Sequence, residues 1–164
     1  MRIFSLLIMS LITLPALSQE NDEAYLKSYD IAKDSVNELT FKDKINFDNF
    51  ISTFQDKEGF ELPKFFIIDN SGMLLKHNLD IRISECTKGD VHELKKKYFK
   101  KLPSLKELDK FFNEKLDIPT GDNFIVVFIW HIAMDKYNKH TFETFHTWKE
   151  NNDIKCYFLN LNME

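Results

Sequence analysis

The sequence predicts an α/β fold, with a mixed β-sheet built from a βαβ unit and a β-hairpin and flanked by helices. Three observations carry this expectation. Phe124-Ile125-Val126-Val127-Phe128-Ile129-Trp130 is apolar at every position, as a strand covered on both faces requires. A helical stretch and a second apolar strand, Ile154–Leu161, follow at a spacing that fits a crossover between parallel strands. Upstream, Lys64–Asp69, the turn Asn70-Ser71-Gly72 and Met73–His77 read as a β-hairpin.

The chain opens with Met1-Arg2, an apolar run from Ile3 to Leu14, the breaker Pro15, and small residues at Ala16 and Ser18. A basic start, a short apolar core and a small-x-small exit are the layout of a cleavable secretory signal. The expected signal peptide is therefore residues 1–18. A membrane anchor is the competing reading, but a spanning helix needs roughly 20 apolar residues. Export predicts a periplasmic or secreted protein, with no stable membrane span after cleavage.

Residues 19–45 are polar and weakly patterned. Ala24, Tyr25, Tyr29, Ala32 and Val36 suggest one helical face. The domain proper is expected at 46–164. There, Phe47, Phe50, Ile51 and Phe54 follow the i, i+3, i+4, i+7 rule, with Asn46 as candidate cap. Pro63 precedes the hairpin, where its missing N–H costs no ladder bond. Val91, Leu94, Tyr98 and Leu102 suggest a helix capped by Asp90 and stopped by Pro103. Ser104-Leu105-Lys106-Glu107 is a capping box, and Leu105, Leu108, Phe112 and Leu116 extend that helix's apolar face. Residues 117–122 are an expected loop. Phe142, Phe145 and Trp148 mark the crossover helix, expected at 139–151.

Composition narrows the function. Sixteen Phe supply a core, and four Gly with four Pro leave little room for linkers. Without Arg2 the net charge moves from −4 to −5, and Arg82 is the single remaining arginine. That balance argues against a nucleic-acid binder, which normally carries a basic excess or stripe. Cys86 and Cys156 are 70 positions apart, so either a disulfide or two separate thiols is compatible with export.

The strand ending Trp130-His131-Ile132-Ala133-Met134-Asp135-Lys136-Tyr137 and the second strand ending Leu159-Asn160-Leu161-Asn162 resemble the thioredoxin-like superfamily, in its exported TlpA-type branch. Pro63, Phe66-Ile67-Ile68-Asp69 and Gly72-Met73-Leu74 resemble that family's proline-led hairpin. The resemblance covers about 70 residues and implies a thioredoxin-like domain. Two departures limit it. Met134 and Tyr137 stand where the family has its two cysteines. The hairpin also precedes the βαβ unit, whereas in the family it follows. A reordered domain and a truncated one both fit, and the apolar edge a truncation leaves weighs against it.

Thiol–disulfide exchange needs an attacking thiolate and a resolving thiol. Met134 and Tyr137 provide neither, so a redox-inactive domain with a degenerate active site is expected. No catalytic residue, metal site or cofactor is assigned. The residues expected to bind a peptide or protein partner are Trp130, His131, Met134, Tyr137 and Pro63. The rival reading is an enzyme, either a remnant oxidoreductase or a one-cysteine thiol protein using Cys86 near a helix start. His131 is also a candidate base, but no nucleophile is identifiable beside it. His140, Glu143 and His146 lie at i, i+3 and i+6, a looser set than a helical zinc site uses, so a solvated face is favoured. Asp69 is read as a turn residue and Lys95–Lys97 with Lys100 and Lys101 as a wet helix face. His77 and His92 have no identifiable partner residue.

Overall fold

A computed structural model of the chain describes residues 21–54, 64–74, 103–121 and 123–163. The chain divides into two compact units, Met1–Val36 with Glu164, and Asn37–Met163. The boundary thus falls nine residues before the expected 45/46 junction. The expected signal peptide, the helix at 91–102, Cys86 and Pro63 lie outside the described residues.

In the first unit residues 21–27 are helical. The expected face reaching Val36 does not form. The helix stops because Asp30 adopts a left-handed conformation (φ 57°), with Asp30 N–H bonded to Lys27 O and Ile31 N–H to Leu26 O. This paired closure is the Schellman motif, which satisfies the last carbonyls and turns the chain away. The residues buried here are Asp22, Leu26 and Ile31, not the predicted set.

The second unit holds a four-stranded sheet. Its strands are β1 (Asn37–Leu39), β2 (Phe65–Ile68), β3 (Phe124–Trp130) and β4 (Ile154–Asn160), in the order β1-β4-β3-β2. β3 pairs parallel with β4, and β4 parallel with β1, while β2 runs antiparallel to β3. The predicted placement of 124–130 inside a mixed sheet, parallel to the last strand, is therefore found. β1 was missed because three residues, two of them polar, carry no alternation to read. Asp69 and Gly72 make the turn after β2. Asp69 Oδ1 accepts from Ser71 N–H at 2.9 Å, Gly72 takes φ +71°, and Leu74 bridges back to Ile68 antiparallel. The rest of the hairpin is outside the described residues.

Strand alternation sorts the core into two layers. One face of the sheet carries Leu39, Phe66, Ile68, Ile125, Val127, Ile129, Tyr157 and Leu159. Helix α1 (Lys44–Thr53) covers it with Phe50, beside Phe54, and the one-turn helix α2 (Leu105–Leu108) covers it with both its leucines. The cap of α1 is Asp43, not Asn46: Asp43 Oδ1 accepts the Asn46 N–H at 2.7 Å. The capping box at Ser104 and Glu107 forms as expected, the Glu107 carboxylate accepting from the Ser104 N–H and hydroxyl at 2.8 Å. The predicted continuation of α2 to Leu116 does not form. Phe112 instead pairs with Phe41 as an isolated bridge, and Asn113 N–H bonds Thr40 O, so that segment is held as irregular chain against 40–42. Its apolar residues are buried as predicted, by tertiary contact rather than helical packing.

The other face is an aromatic layer under helix α3 (Asp135–Trp148). Phe128 and Phe158 on the sheet meet Phe145 edge-on, at centroid distances of 5.7 and 4.8 Å. Phe142 stacks on Phe158 at 5.8 Å and 17°. Phe65 meets Trp148, and Trp130 meets Phe142. Such pairs add to the area term because ring edges and faces carry opposite partial charge.

Candidate functional site

α3 begins at the carboxyl end of β3, and four of the five candidate binding residues lie at this junction: Trp130 ends the strand, His131 and Met134 make the intervening turn, and Tyr137 stands in the first turn of α3. Ligands of open α/β sheets characteristically gather at this edge, where helix N-termini and strand ends meet. Because β2 is antiparallel, its first residues lie at the same edge: Lys64 O accepts from Ile129 N–H at 2.8 Å. The chain following Pro63 thus runs beside the strand end that leads into Trp130–Tyr137. Leu161, just past β4, joins the edge through its N–H to Trp130 O at 2.9 Å.

Trp130 is 0 % exposed, with its ring on the α3 side against Phe142. The expectation that it presents a binding surface is corrected: as the seventh residue of a strand whose every side chain is covered, its ring is turned under the helix. It supports the site from beneath. His131 is half-buried and extended (φ −159°, ψ 141°), which lets its ring fold back over the 3₁₀ turn Ile132–Met134. His131 Nδ1 accepts the Ala133 N–H at 3.1 Å. This is an N-cap bond of the kind Ser, Asp or Asn usually supplies. It commits Nδ1 as an acceptor, so the neutral ring carries its proton on Nε2. Met134 is half-buried, and its N–H donates to His131 O at 2.7 Å. Tyr137, in the first turn of α3, is 53 % exposed.

Sequence reading missed Asn138. It is 0 % exposed, and its Nδ2 donates to His131 O at 2.8 Å. The signal was present: Asn138 sits four and seven residues before Phe142 and Phe145, on the buried stripe of α3. An amide on an apolar stripe must be hydrogen-bonded, so it marks a tie between the helix and something beside it. Here it ties α3 to the turn, and Met134 and Tyr137 follow from that anchorage.

The thiol chemistry lies elsewhere. Cys156 pairs in register with Val126, in the interior of the sheet, and carries a free thiol. Desolvation pushes that thiol up to about 12, so it is protonated near neutral pH. His140 Nδ1 lies 3.2 Å from Glu143 Oε2 on the exposed side of α3, and His146 packs beside Phe145 at 5.5 Å. Among the described residues no group of three His, Cys, Asp or Glu comes together as a metal ion requires. No helix among them is long and apolar enough to cross a membrane. Cys86, His77, His92 and the lysine run 95–101 lie outside the described residues. Comparisons with protein-family models, with curated proteins and with solved structures find no match.

Proposed function

We propose that this is an exported, redox-inactive thioredoxin-like domain with reordered elements, and that it binds a peptide or protein partner at the carboxyl edge of β3. One observation carries the binding reading. Half-buried Met134, on a turn, and Tyr137, 53 % exposed in the first turn of α3, lie three residues apart on chain fixed by three hydrogen bonds to His131, at an edge built by β2, β3 and β4. Tyrosine and methionine are the residue types that interfaces favour, since each offers large contact area with a small polar demand. The reordering is supported by β2 and β3 sharing one sheet, antiparallel, although β2 comes first in the chain. The loss of thiol exchange is supported by Met134 and Tyr137 at the family's cysteine positions and by the protonated, half-buried Cys156.

The test is selection from a random peptide library against the chain from residue 19, followed by fluorescence-polarisation titration of the peptides recovered. Tyr137→Ala should weaken binding about tenfold or more, because aromatic anchors at interfaces contribute around 2 kcal/mol. Ile118→Ala is the control. Ile118 is 55 % exposed beside Gly72, in the turn that follows β2 at the opposite end of the strand from Lys64. Recovery of no peptide, or equal affinities for the wild type and Tyr137→Ala, sinks the proposal.

A further inference from the structure

We infer that His131 is a pH-responsive positioning residue: its imidazole latches the turn that carries Met134 and leads into α3, and acid opens that latch. The consequence for a partner rests on the proposed function; the latch itself rests on geometry alone.

Three bonds converge on His131. Two reach its carbonyl oxygen, from Met134 N–H at 2.7 Å and Asn138 Nδ2 at 2.8 Å, and neither depends on ionisation. The third runs from Ala133 N–H to Nδ1 at 3.1 Å and requires an unprotonated nitrogen there. Ser, Thr, Asp or Asn in this position would accept at every pH near neutrality. Histidine is the cap that stops accepting, because imidazolium donates from both nitrogens. Protonation then sets N–H against N–H at Ala133. The ring is half-buried, so water and protons reach it.

Among the described residues, the charged groups of the segments meeting at this edge are Lys64 at the start of β2, Asp135 and Lys136 at the start of α3, and Lys42 and Asp43 beyond β1; Tyr137 is the other ionisable group there. Beyond β4, Leu161, Asn162 and Met163 bring none. Acid should release the Ile132–Met134 turn while Asn138 keeps α3 in place. The effect is local, on the turn that presents Met134 beside the first turn of α3.

Nitrogen-15 NMR of the chain from residue 19, titrated from about pH 7.5 to about pH 5 where histidines take up protons, tests the latch. The expected result is the Nε2–H tautomer of His131 at the upper end, with the Ala133 amide shifting and losing exchange protection at the ring's own midpoint. His131→Asn retains an acceptor that does not titrate, so its Ala133 amide should stay protected throughout; His131→Ala should leave it unprotected at every pH. An Nδ1–H tautomer at the upper end, an Ala133 amide that stays still while the ring titrates, or an unchanged pH response in His131→Asn each overturns the inference. In a parallel arm, a library-selected peptide should lose affinity several-fold on acidification with the wild type and not with His131→Asn. Equal affinities with the wild type at both ends overturn the link to the surface. Recovery of no peptide at either pH sinks the proposed function instead, and the amide titration decides the latch on its own.

Discussion

Val127→Asp is expected to unfold the sheet domain. Val127 is 0 % exposed at the centre of β3, opposite Phe66 on β2 and Tyr157 on β4, in the layer closed by Phe50 and Leu108. Losing the buried valine costs about 1.5–3 kcal/mol. The new carboxyl meets no cation among the described residues of this layer, and its cheapest escape near pH 7 is to bind a proton. That costs about 4 kcal/mol, three pH units above an ordinary aspartate at about 1.4 kcal/mol each. A buried, unpaired acid costs a further 1–3 kcal/mol or so. The total, roughly 7–10 kcal/mol, matches the whole stability of an ordinary domain, about 5–15 kcal/mol. Val127→Ala separates the terms, since it forfeits packing without adding a polar group and should cost only about 2 kcal/mol. Urea titration followed by circular dichroism and tryptophan emission reads both variants; Trp130 and Trp148 are buried in the α3 layer and report its opening. A Val127→Asp protein with the wild-type midpoint refutes the double coverage of β3, and with it the α/β sheet on which the candidate site stands.

Other outcomes follow from single features. Cys156, half-buried with its thiol pushed up to about 12 by desolvation, should react with Ellman's reagent more slowly in the native protein than in urea; equal rates speak against its place in β4. Insulin reduction should show no turnover, and turnover lost on Cys86→Ser would promote the enzyme reading. The Asp43 carboxyl is lowered by the Asn46 backbone and side-chain donors, and Glu107 by those of Ser104. Groups depressed in the folded state stabilise above their unfolded values, 3.8 and 4.5, and lose that contribution as the pH falls through the folded ones. Asp43→Asn and Glu107→Gln should therefore flatten the fall of the thermal midpoint below about pH 4.5, and an unchanged acid slope speaks against the caps. Intact-mass measurement of the protein isolated from its native envelope should find residue 19 first; a retained Met1 refutes export.

Much of the architecture was legible in the residues. Seven consecutive apolar positions at 124–130 exclude a strand with one wet face, whatever else the chain does. Spacing was enough to locate α1 and α3, because an apolar stripe repeats with the helical period. The Ser104–Glu107 box and the Asp69–Gly72 turn depend on neighbours within four residues, so they too were readable. Tertiary structure decided what rests on distant partners. Asn37–Leu39 becomes a strand because β4 offers it an edge, with partners 120 residues away in the chain. The stretch after α2 is not helical because 40–42 bind its backbone. Trp130 leaves the surface because a strand's alternation, set by its neighbours, turns it under α3. Asn138 and His131 become the clasp of the site for the same reason. A buried amide and an imidazole announce that they need partners, but only the packing of helix against strand selects which backbone group each one meets.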